Sequence, residues 1–252
     1  MKYLLTLAIS ITGVFSFSHL QAQVADTVRS KTADGHDYMQ IKNTKQVFAD
    51  GFTYHGQLDG SWSTYWEDGY PHDVAIYRNG KKNGLHMVID ITGYASLMET
   101  YIDDVLNGPR RVFNKGAMRS EEANYINGKK DGPFKRWYFA GTIQEESNFS
   151  QDKRVGKSIW YFDNKTKAAE YDYKDGEIDG TVTTYYENGK VSEITNYKMG
   201  DQTGEGKEFY DNGNLKAVGN YKDGLKDGPW KQYDENGKPS KTIKYNKGEE
   251  KK

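Results

Sequence analysis

Glycine recurs at one strict interval through most of this chain. Among the 252 residues, one glycine stands every 24 residues without insertion or deletion: Gly60, Gly84, Gly108, Gly132, Gly156, Gly180, Gly204 and Gly228. We call these glycines position 0 and number the eight units that they open from 1 to 8. A register this strict predicts a repeat protein in which each unit contacts only its neighbours.

Aromatic residues follow the same register. Position +17, counted from each glycine, is Tyr in seven units and Phe149 in the other, and position +5 is aromatic in all units except that of Ile89. Side chains alternate across a strand, so positions +5 and +6 point to opposite faces. We therefore expect a core of stacked rings at +5, with a patchier aromatic set at +2 and +6 on the other face.

Turn residues divide each unit into a hairpin. Asn188-Gly189, Asn212-Gly213 and Asn236-Gly237 follow the first strand, and pairs such as Asp223-Gly224 follow the second. Asn, Asp and Gly tolerate the positive φ of tight turns, and their spacing leaves no window for an amphipathic helix. The chain is thus predicted to be all-β, an elongated, twisted antiparallel sheet of tandem 24-residue β-hairpins.

The composition agrees with such a sheet and excludes several classes of protein. Hydrophobic residues are only 35 %, while Tyr numbers 20 and Gly 27, which disfavours both a parallel α/β enzyme rich in Val and Ile and a helical bundle. Lys and Arg number 35 against 36 Asp and Glu, so no net charge favours nucleic acid as a partner. With no cysteine, disulfides and thiolate metal sites are excluded, and no cofactor is expected.

Four segments are predicted along the chain. Residues 1–22 have the charge, apolar run and small residue of a secretory signal peptide, so we expect export to the periplasm or the exterior of a bacterial cell, without a membrane-spanning segment after cleavage. Residues 23–35 are expected to be a linker, and residues 36–59 a degenerate N-terminal repeat or cap. Residues 60–252 form the eight-unit domain with a short charged C-terminal tail.

The repeat resembles a known family. Gly180-Thr-Val-Thr-Thr-Tyr185-Tyr186-Glu-Asn188-Gly189, followed by Tyr197-Lys-Met-Gly200, is similar to the MORN repeat family, and in particular to its bacterial MORN-variant branch. The resemblance implies a non-enzymatic module that binds and organises partners. Some bacterial members carry the label of a toxin–antitoxin component, which implies an antitoxin or immunity role as an alternative.

No set of residues predicts catalysis or metal binding. Serines lack a nucleophile elbow, most carboxylates lie beside turn glycines, and the histidines are scattered, so we interpret them as turn or surface residues. The remaining candidates are aromatic residues at +2 and +6, which either pack half-buried between hairpins or form a binding groove, because Trp and Tyr are enriched at contact surfaces. The candidate binding face comprises Trp62, Trp66, Tyr138, Phe162, Tyr186, Tyr210 and Trp230.

The sequence thus predicts an exported, non-enzymatic repeat scaffold that binds a protein, a peptide or another macromolecule through its sheet face. An antitoxin or immunity-type neutraliser of a toxin is the first alternative. A glycan-binding or glycan-hydrolysing envelope protein is the second. Both ends of the sheet are open edges, so edge-to-edge homodimers are also compatible with the architecture.

Overall fold

A computed structural model describes residues 25–251, so the predicted signal peptide lies outside the described residues. The described part contains only strands, turns and loops, and all of its strands belong to one open antiparallel sheet. None of it forms a helix long and apolar enough to cross a membrane. The strands are β1 (Asp26–Lys31), β2 (Asp37–Lys42), β3 (Val47–Tyr54), β4 (Gln57–Tyr65), β5 (Pro71–Arg78), β6 (Lys81–Ile89), β7 (Ala95–Ile102), β8 (Val105–Leu106), β9 (Gly108–Asn114), β10 (Met118–Ile126), β11 (Lys129–Trp137), β12 (Ile143–Ser150), β13 (Lys153–Arg154), β14 (Gly156–Tyr161), β15 (Lys167–Lys174), β16 (Glu177–Ile178), β17 (Gly180–Tyr185), β18 (Val191–Lys198), β19 (Asp201–Phe209), β20 (Leu215–Lys222), β21 (Leu225–Tyr233), β22 (Pro239–Asn246) and β23 (Glu249–Lys251).

The predicted tandem hairpins are confirmed. Consecutive strands pair along the chain, except that the first strands of units 3, 5 and 6 are interrupted. Their two pieces, β8/β9, β13/β14 and β16/β17, pair with the same preceding strand. One segment differs from expectation: residues 26–31, placed in the linker, form β1 and pair with β2. Such pairing satisfies backbone groups that would otherwise leave the edge of β2 open.

The first hairpin is a shortened unit. In unit 1, Gly60 pairs with Tyr77, whereas in the N-terminal hairpin Asp37 pairs with Thr53. Thr53 therefore occupies the place of the +17 aromatic ring, and Tyr54 lies one residue beyond it. This hairpin buries Met39 and Thr53, at 5 % and 4 % exposure, so it continues the packing of the eight units.

The turn that follows the second strand of each unit ties that unit to the preceding one. Asn79 and Gly80, at positions +19 and +20, both have positive φ, of 49° and 79°, as a type I′ hairpin turn requires. The Gly80 N–H donates to the carbonyl of Leu58, 22 residues earlier, at 2.8 Å. Where Asp104 replaces the glycine, its carboxylate also accepts from the Lys82 N–H, at 2.7 Å.

Position 0 lies in a bulge. Ala75 pairs with His86 and Tyr77 with Lys82, so three residues around Gly84 face Ile76 alone. Gly84 has a φ of 127°, and a Cβ built on it would lie 3.2 Å from the Ile76 Cβ. Every position-0 glycine has a positive φ, which explains the strict register, and at positions such as Gly84 the strand also passes close over a side chain of its neighbour.

The core lies on one face of the sheet and consists of positions +2, +4, +13, +15 and +17, which we call the packed face. Its most buried large side chains are at +2: Trp230 is 1 % exposed and Phe134 2 %. The Trp230 ring contacts the +17 rings of Tyr221 and Tyr245, with centroids 5.1 and 6.4 Å apart. Phe134 contacts Phe149 in the same way, at 5.4 Å.

The expectation that the core would be a column of +5 rings is wrong. The +5 side chains point to the opposite face, the outer face, and are only half-buried. Two of their hydroxyls contact the preceding second strand: Tyr65 donates to Asp50 at 2.7 Å and Tyr161 to Glu146 at 2.9 Å. Burial and this hydrogen bond raise the pKa of Tyr65 to about 12. Position +2 is the core because it is mid-strand and because a ring there lies beside a small residue at +15 of the preceding unit: Gly51, Ala123 or Gly219.

Small residues at +15 make room for the large ones at +2. Gly219 pairs beside Trp230, and a Cβ built on Gly219 would lie 2.4 Å from the indole ring. Gly51, in the N-terminal hairpin, has the same relation to Trp62, with its built Cβ 2.8 Å from the ring. Beside Phe134 stands Ala123 instead. The packing of the +2 side chain in each unit thus depends on the size of the +15 side chain in the preceding unit.

We expect Gly219→Ala to destabilise the protein by about 1–3 kcal/mol, because the added methyl overlaps the buried Trp230 ring. In an unobstructed strand the same change would be stabilising. Urea unfolding followed by circular dichroism measures the effect. In a Trp230→Ala background, the penalty of Gly219→Ala should vanish or reverse, and an unchanged penalty there would refute the packing explanation.

Candidate binding surfaces

The seven aromatic residues predicted as one binding face lie in two different environments. Trp62 and Trp230, at position +2, belong to the packed face, and Trp230 is buried between its neighbours. Trp230 is therefore inaccessible to a partner, which corrects its inclusion in the candidate face. The other five, at position +6, are half-buried at the edge of the sheet formed by the first turns of the units: Trp66, Tyr138, Phe162, Tyr186 and Tyr210.

The polar atoms of the +6 side chains bind the next unit. Tyr186 Oη donates to the carbonyl of Phe209 at 2.7 Å, and Tyr210 Oη donates to the carbonyl of Tyr233 at 2.8 Å. Tyr138 and Trp66 make the same contact 23 residues ahead, to Tyr161 and Ile89. These hydrogen bonds hold successive turns in a fixed relation, a role that the sequence prediction missed.

The asparagines of the first turns act similarly. Asn188 Nδ2 donates to the carbonyl of Asp211 at 2.8 Å, while Asn188 Oδ1 accepts from the Lys190 N–H within its own turn. Asn212 repeats the contact to Glu235 at 2.7 Å. These contacts explain the Tyr-x-Asn-Gly motif. The Tyr and Asn side chains both hydrogen-bond to carbonyls at the first turn of the next unit, and the Gly N–H closes the turn in which the motif lies.

An open groove lies between consecutive +6 rings. Its walls come from units 5, 6 and 7 and combine aromatic with polar side chains: Phe162, Tyr185, Tyr186, Glu187, Asn188 and Asp211. Neither Glu187 nor Asp211 forms an ion pair with another described side chain. The groove therefore offers ring surface and uncommitted carboxylates side by side.

The packed face also carries a continuous chain of charged side chains through units 1 to 4. Acidic and basic groups alternate along it, each contacting the next across neighbouring strands: Asp73–His86 (2.7 Å), His86–Glu99 (3.2 Å), Glu99–Arg110 (2.9 Å), Arg110–Glu121 (3.2 Å), Glu121–Arg136 (3.3 Å), Arg136–Glu145 (3.6 Å) and Glu145–Arg154 (2.6 Å). Glu145 is 1 % exposed, so its two arginine partners are needed to hold a buried carboxylate.

His86 occupies the start of this chain and is buried, contrary to the expectation that the histidines are surface or turn residues. Its hydrogen bond to Asp73 raises the pKa of His86 above its usual value, although burial alone would lower it. Burial would raise the pKa of Glu99, but hydrogen bonds from Tyr101, Arg110 and His86 outweigh it and lower that pKa. In residues 25–251, no group of three or more histidine and acidic side chains is arranged to hold a metal ion.

The outer face is divided into two zones. Its central row runs across consecutive strands, and from Arg111 to Glu146 this row is charged, with ion pairs Arg111–Glu122 at 3.1 Å and Lys135–Glu146 at 2.8 Å. In units 1 and 2 the equivalent positions are apolar, except for Ser63. The apolar zone consists of Val74, Met87 and Met98 in this row and of Ile76 and Leu85 beside it.

The apolar zone is accessible. Ile76 is 41 % and Leu85 40 % exposed, and Met87 lies directly between Val74 and Met98 on neighbouring strands. This zone was not predicted from the repeat pattern. The signal was present in unit 2, where Ile89 and Thr92-Gly93 depart from the pattern of the other units.

The His86 contacts predict a pH-dependent stability. Because the pKa of His86 is raised by folding, its stabilising effect is complete below the unfolded value of about 6.5 and is lost as the pH rises through the folded value. We therefore expect His86→Gln to lower the free energy of unfolding more at about pH 5.5 than at about pH 8.5, measured by urea unfolding. The control His55→Asn changes an exposed turn histidine of positive φ and should leave the pH profile unchanged. Equal losses for His86→Gln at both pH values would contradict the assignment.

Comparison with known families agrees with this geometry. A family model described as the MORN repeat variant matches residues 130–151, 178–199, 202–223 and 226–247. No curated protein matches the chain. Each matched segment spans one hairpin with its Tyr-x-Asn-Gly or equivalent first turn, and the unmatched units repeat the same strand pairings. These four segments are therefore MORN-variant repeats.

Proposed function

We propose that this protein is an exported, non-enzymatic repeat scaffold that binds a protein partner through the apolar zone of its outer face. The observation that carries the proposal is the replacement of cross-strand ion pairs by Val74, Met87 and Met98 in a row that is otherwise mostly polar. Exposed apolar patches on soluble proteins mark interaction sites.

The chemistry of the zone suits a protein surface. Burying apolar area contributes roughly 25 cal/mol per Å², and methionine side chains adapt their shape to the partner. The hydrogen-bonded sheet beneath them is already ordered, so binding costs little backbone entropy. The adjoining charged zone, from Arg111 to Glu146, supplies a polar rim.

The titratable groups with altered pKa support a non-enzymatic role. On the packed face, His86 forms ion pairs with Asp73 and Glu99, and Glu99 also pairs with Arg110. A catalytic group needs a proton-accepting or proton-donating atom that faces a substrate. Here these atoms are engaged in cross-strand ion pairs, so their contribution is to stability.

The proposal includes export, and this is tested by the N-terminus of the purified protein. We expect the protein from an envelope or culture fraction to begin at Gln23, because the small residue Ala22 precedes it after the apolar run. Intact-mass measurement and N-terminal sequencing determine this. Recovery of a chain that retains Met1 from the cytoplasmic fraction alone would contradict export.

The binding proposal predicts the effect of a charge pair installed in the apolar zone. Met87→Lys with Met98→Glu reproduces the Lys135–Glu146 pair of unit 4 at the equivalent cross-strand positions. The fold should persist because that pair already exists in this sheet. We expect capture of the partner from envelope extracts, quantified by mass spectrometry after cross-linking, to fall by about tenfold or more.

The matched control is Thr183→Lys with Ile194→Glu, which installs the same pair in the same row of unit 6, outside the zone. It should retain the captured partner. Equal capture by both variants would refute the proposed surface. Sedimentation provides a further test: if the apolar zone instead mediates a dimer of this chain that only Met87→Lys/Met98→Glu dissociates, the proposal of a distinct protein partner is overturned.

A further inference from the structure

The first-turn edge of the sheet carries a row of rings that is separate from the apolar zone. Position +6 is aromatic in four consecutive units, 4 to 7, and polar in the units on either side, with Asn114 before the row and Asp234 after it. We call Tyr138, Phe162, Tyr186 and Tyr210 the ring row. Each unit adds two main strands, about 4.8 Å apart, so successive rings lie on the order of 10 Å apart.

Equivalent residues line the successive gaps between these rings. The groove between Phe162 and Tyr186 is bounded by a further ring at +5, Tyr185, and by the carboxylates of Glu187 and Asp211. The register places the same kinds of residue in the next gap: Tyr186, Phe209, Tyr210, Asp211, Asn212 and Glu235. A linear ligand would therefore meet the same side-chain set at each step.

Hydrogen bonding inside the protein holds the rings in place. Tyr186 Oη and Tyr210 Oη are both committed to carbonyls of the next unit, so their orientation is fixed before any ligand arrives. The hydroxyls are used internally, which leaves ring surface as the part available to a ligand. Such preorganised rings bind with little loss of side-chain entropy.

The polar groups of the edge favour a hydroxyl-rich ligand over a charged one. Glu187 and Asp211 can accept hydrogen bonds from hydroxyls, and hydrogen bonds to ionised acceptors are the stronger kind. Lysines lie at the same edge: Lys190 Nζ donates to the Asn212 carbonyl at 2.7 Å, and Lys216 Nζ lies 5.8 Å from the Tyr210 ring centroid. Charges of both signs therefore alternate along the edge, which gives no selection for a basic or an acidic peptide.

We propose that the ring row binds a linear, β-1,4-linked polysaccharide, one disaccharide to each groove. The apolar C–H face of a pyranose ring packs on an aromatic ring, and its equatorial hydroxyls lie where the carboxylates can accept from them. In an extended β-1,4-linked chain the disaccharide is the repeating unit, and its length is comparable to the two-strand step between rings. The structure thus matches the ligand in chemistry and in period.

The test is calorimetric titration of the full chain with β-1,4-linked oligosaccharides of increasing length, both cello- and chito-oligosaccharides. Affinity should rise with each added disaccharide until the grooves of the ring row are filled. Malto-oligosaccharides, whose α-1,4 linkage makes a curved chain, should not bind. The absence of binding by both β-1,4-linked series, or equal binding of malto-oligosaccharides, overturns the proposal.

Phe162→Leu is the most informative variant, because Phe162 has no hydroxyl and its loss removes no hydrogen bond between units. We expect it to weaken binding of the longest oligosaccharide by about tenfold. Glu187→Gln should weaken binding as well, whereas Glu67→Gln, at the same position of unit 1 and outside the row, should not. Equal affinity of Phe162→Leu and the unaltered protein would refute the ring row as the site.

The two proposals fail independently. The charge pair Met87→Lys/Met98→Glu lies on the outer face of unit 2 and should leave oligosaccharide binding unchanged. Conversely, Phe162→Leu should leave capture of the protein partner unchanged. If the captured protein partner itself binds at the ring row, so that Phe162→Leu abolishes its capture, the saccharide assignment is overturned.

Discussion

Backbone groups in the two rows of turns, one along each side of the sheet, are hydrogen-bonded by the neighbouring unit. The architecture depends on this constraint. A single-layer sheet has no second layer to cover its turns, so the polar groups there must find partners along the sheet. At one edge, Tyr186 and Asn188 bind carbonyls of unit 7. At the other, the Gly80 N–H binds the carbonyl of Leu58. These contacts fix the spacing of successive turns, and with it the spacing of the rings and grooves.

The packed face follows from the same dependence on neighbours. A ring at +2 is covered by a small residue at +15 of the unit before it, as with Trp230 and Gly219. Where position +2 carries no ring, other side chains occupy the corresponding part of the packed face. Ser158, which is fully buried, stands at +2 of unit 5, and the Arg154 guanidinium lies 5.5 Å from the nearby Trp160 ring. The core is thus a one-dimensional series of local fits rather than one cluster.

Much of the fold could be predicted from the sequence, because turn chemistry and the glycine register are local. The tandem hairpins and the positive-φ turn residues lie where the pattern placed them. The identity of the core could not be predicted in this way. Alternation correctly separates +2 from +5, but it does not tell which face is covered, and that depends on the size of Gly219 or Ala123 one unit earlier.

The surfaces were harder still to predict. The charged chain from Asp73 to Arg154 joins residues whose sequence separations vary, since each contact depends on cross-strand register and side-chain reach. Trp230 looked like a surface aromatic residue because its burial is decided by Gly219. The +6 rings were identified as candidates, but their role in joining turns requires the position of a carbonyl 23 residues ahead, which composition does not reveal.

The hydrogen bonds between units also determine how such a chain can change in length during evolution. The contact from Tyr186 reaches 23 residues forward, and that from Gly80 reaches 22 residues back. Insertion of a single residue between two units would displace both kinds of partner, whereas insertion of a whole unit would preserve every one of them. Lengthening by duplication of complete repeats is therefore the change that this sheet accommodates, and each added unit would extend the row of turns by one equivalent step.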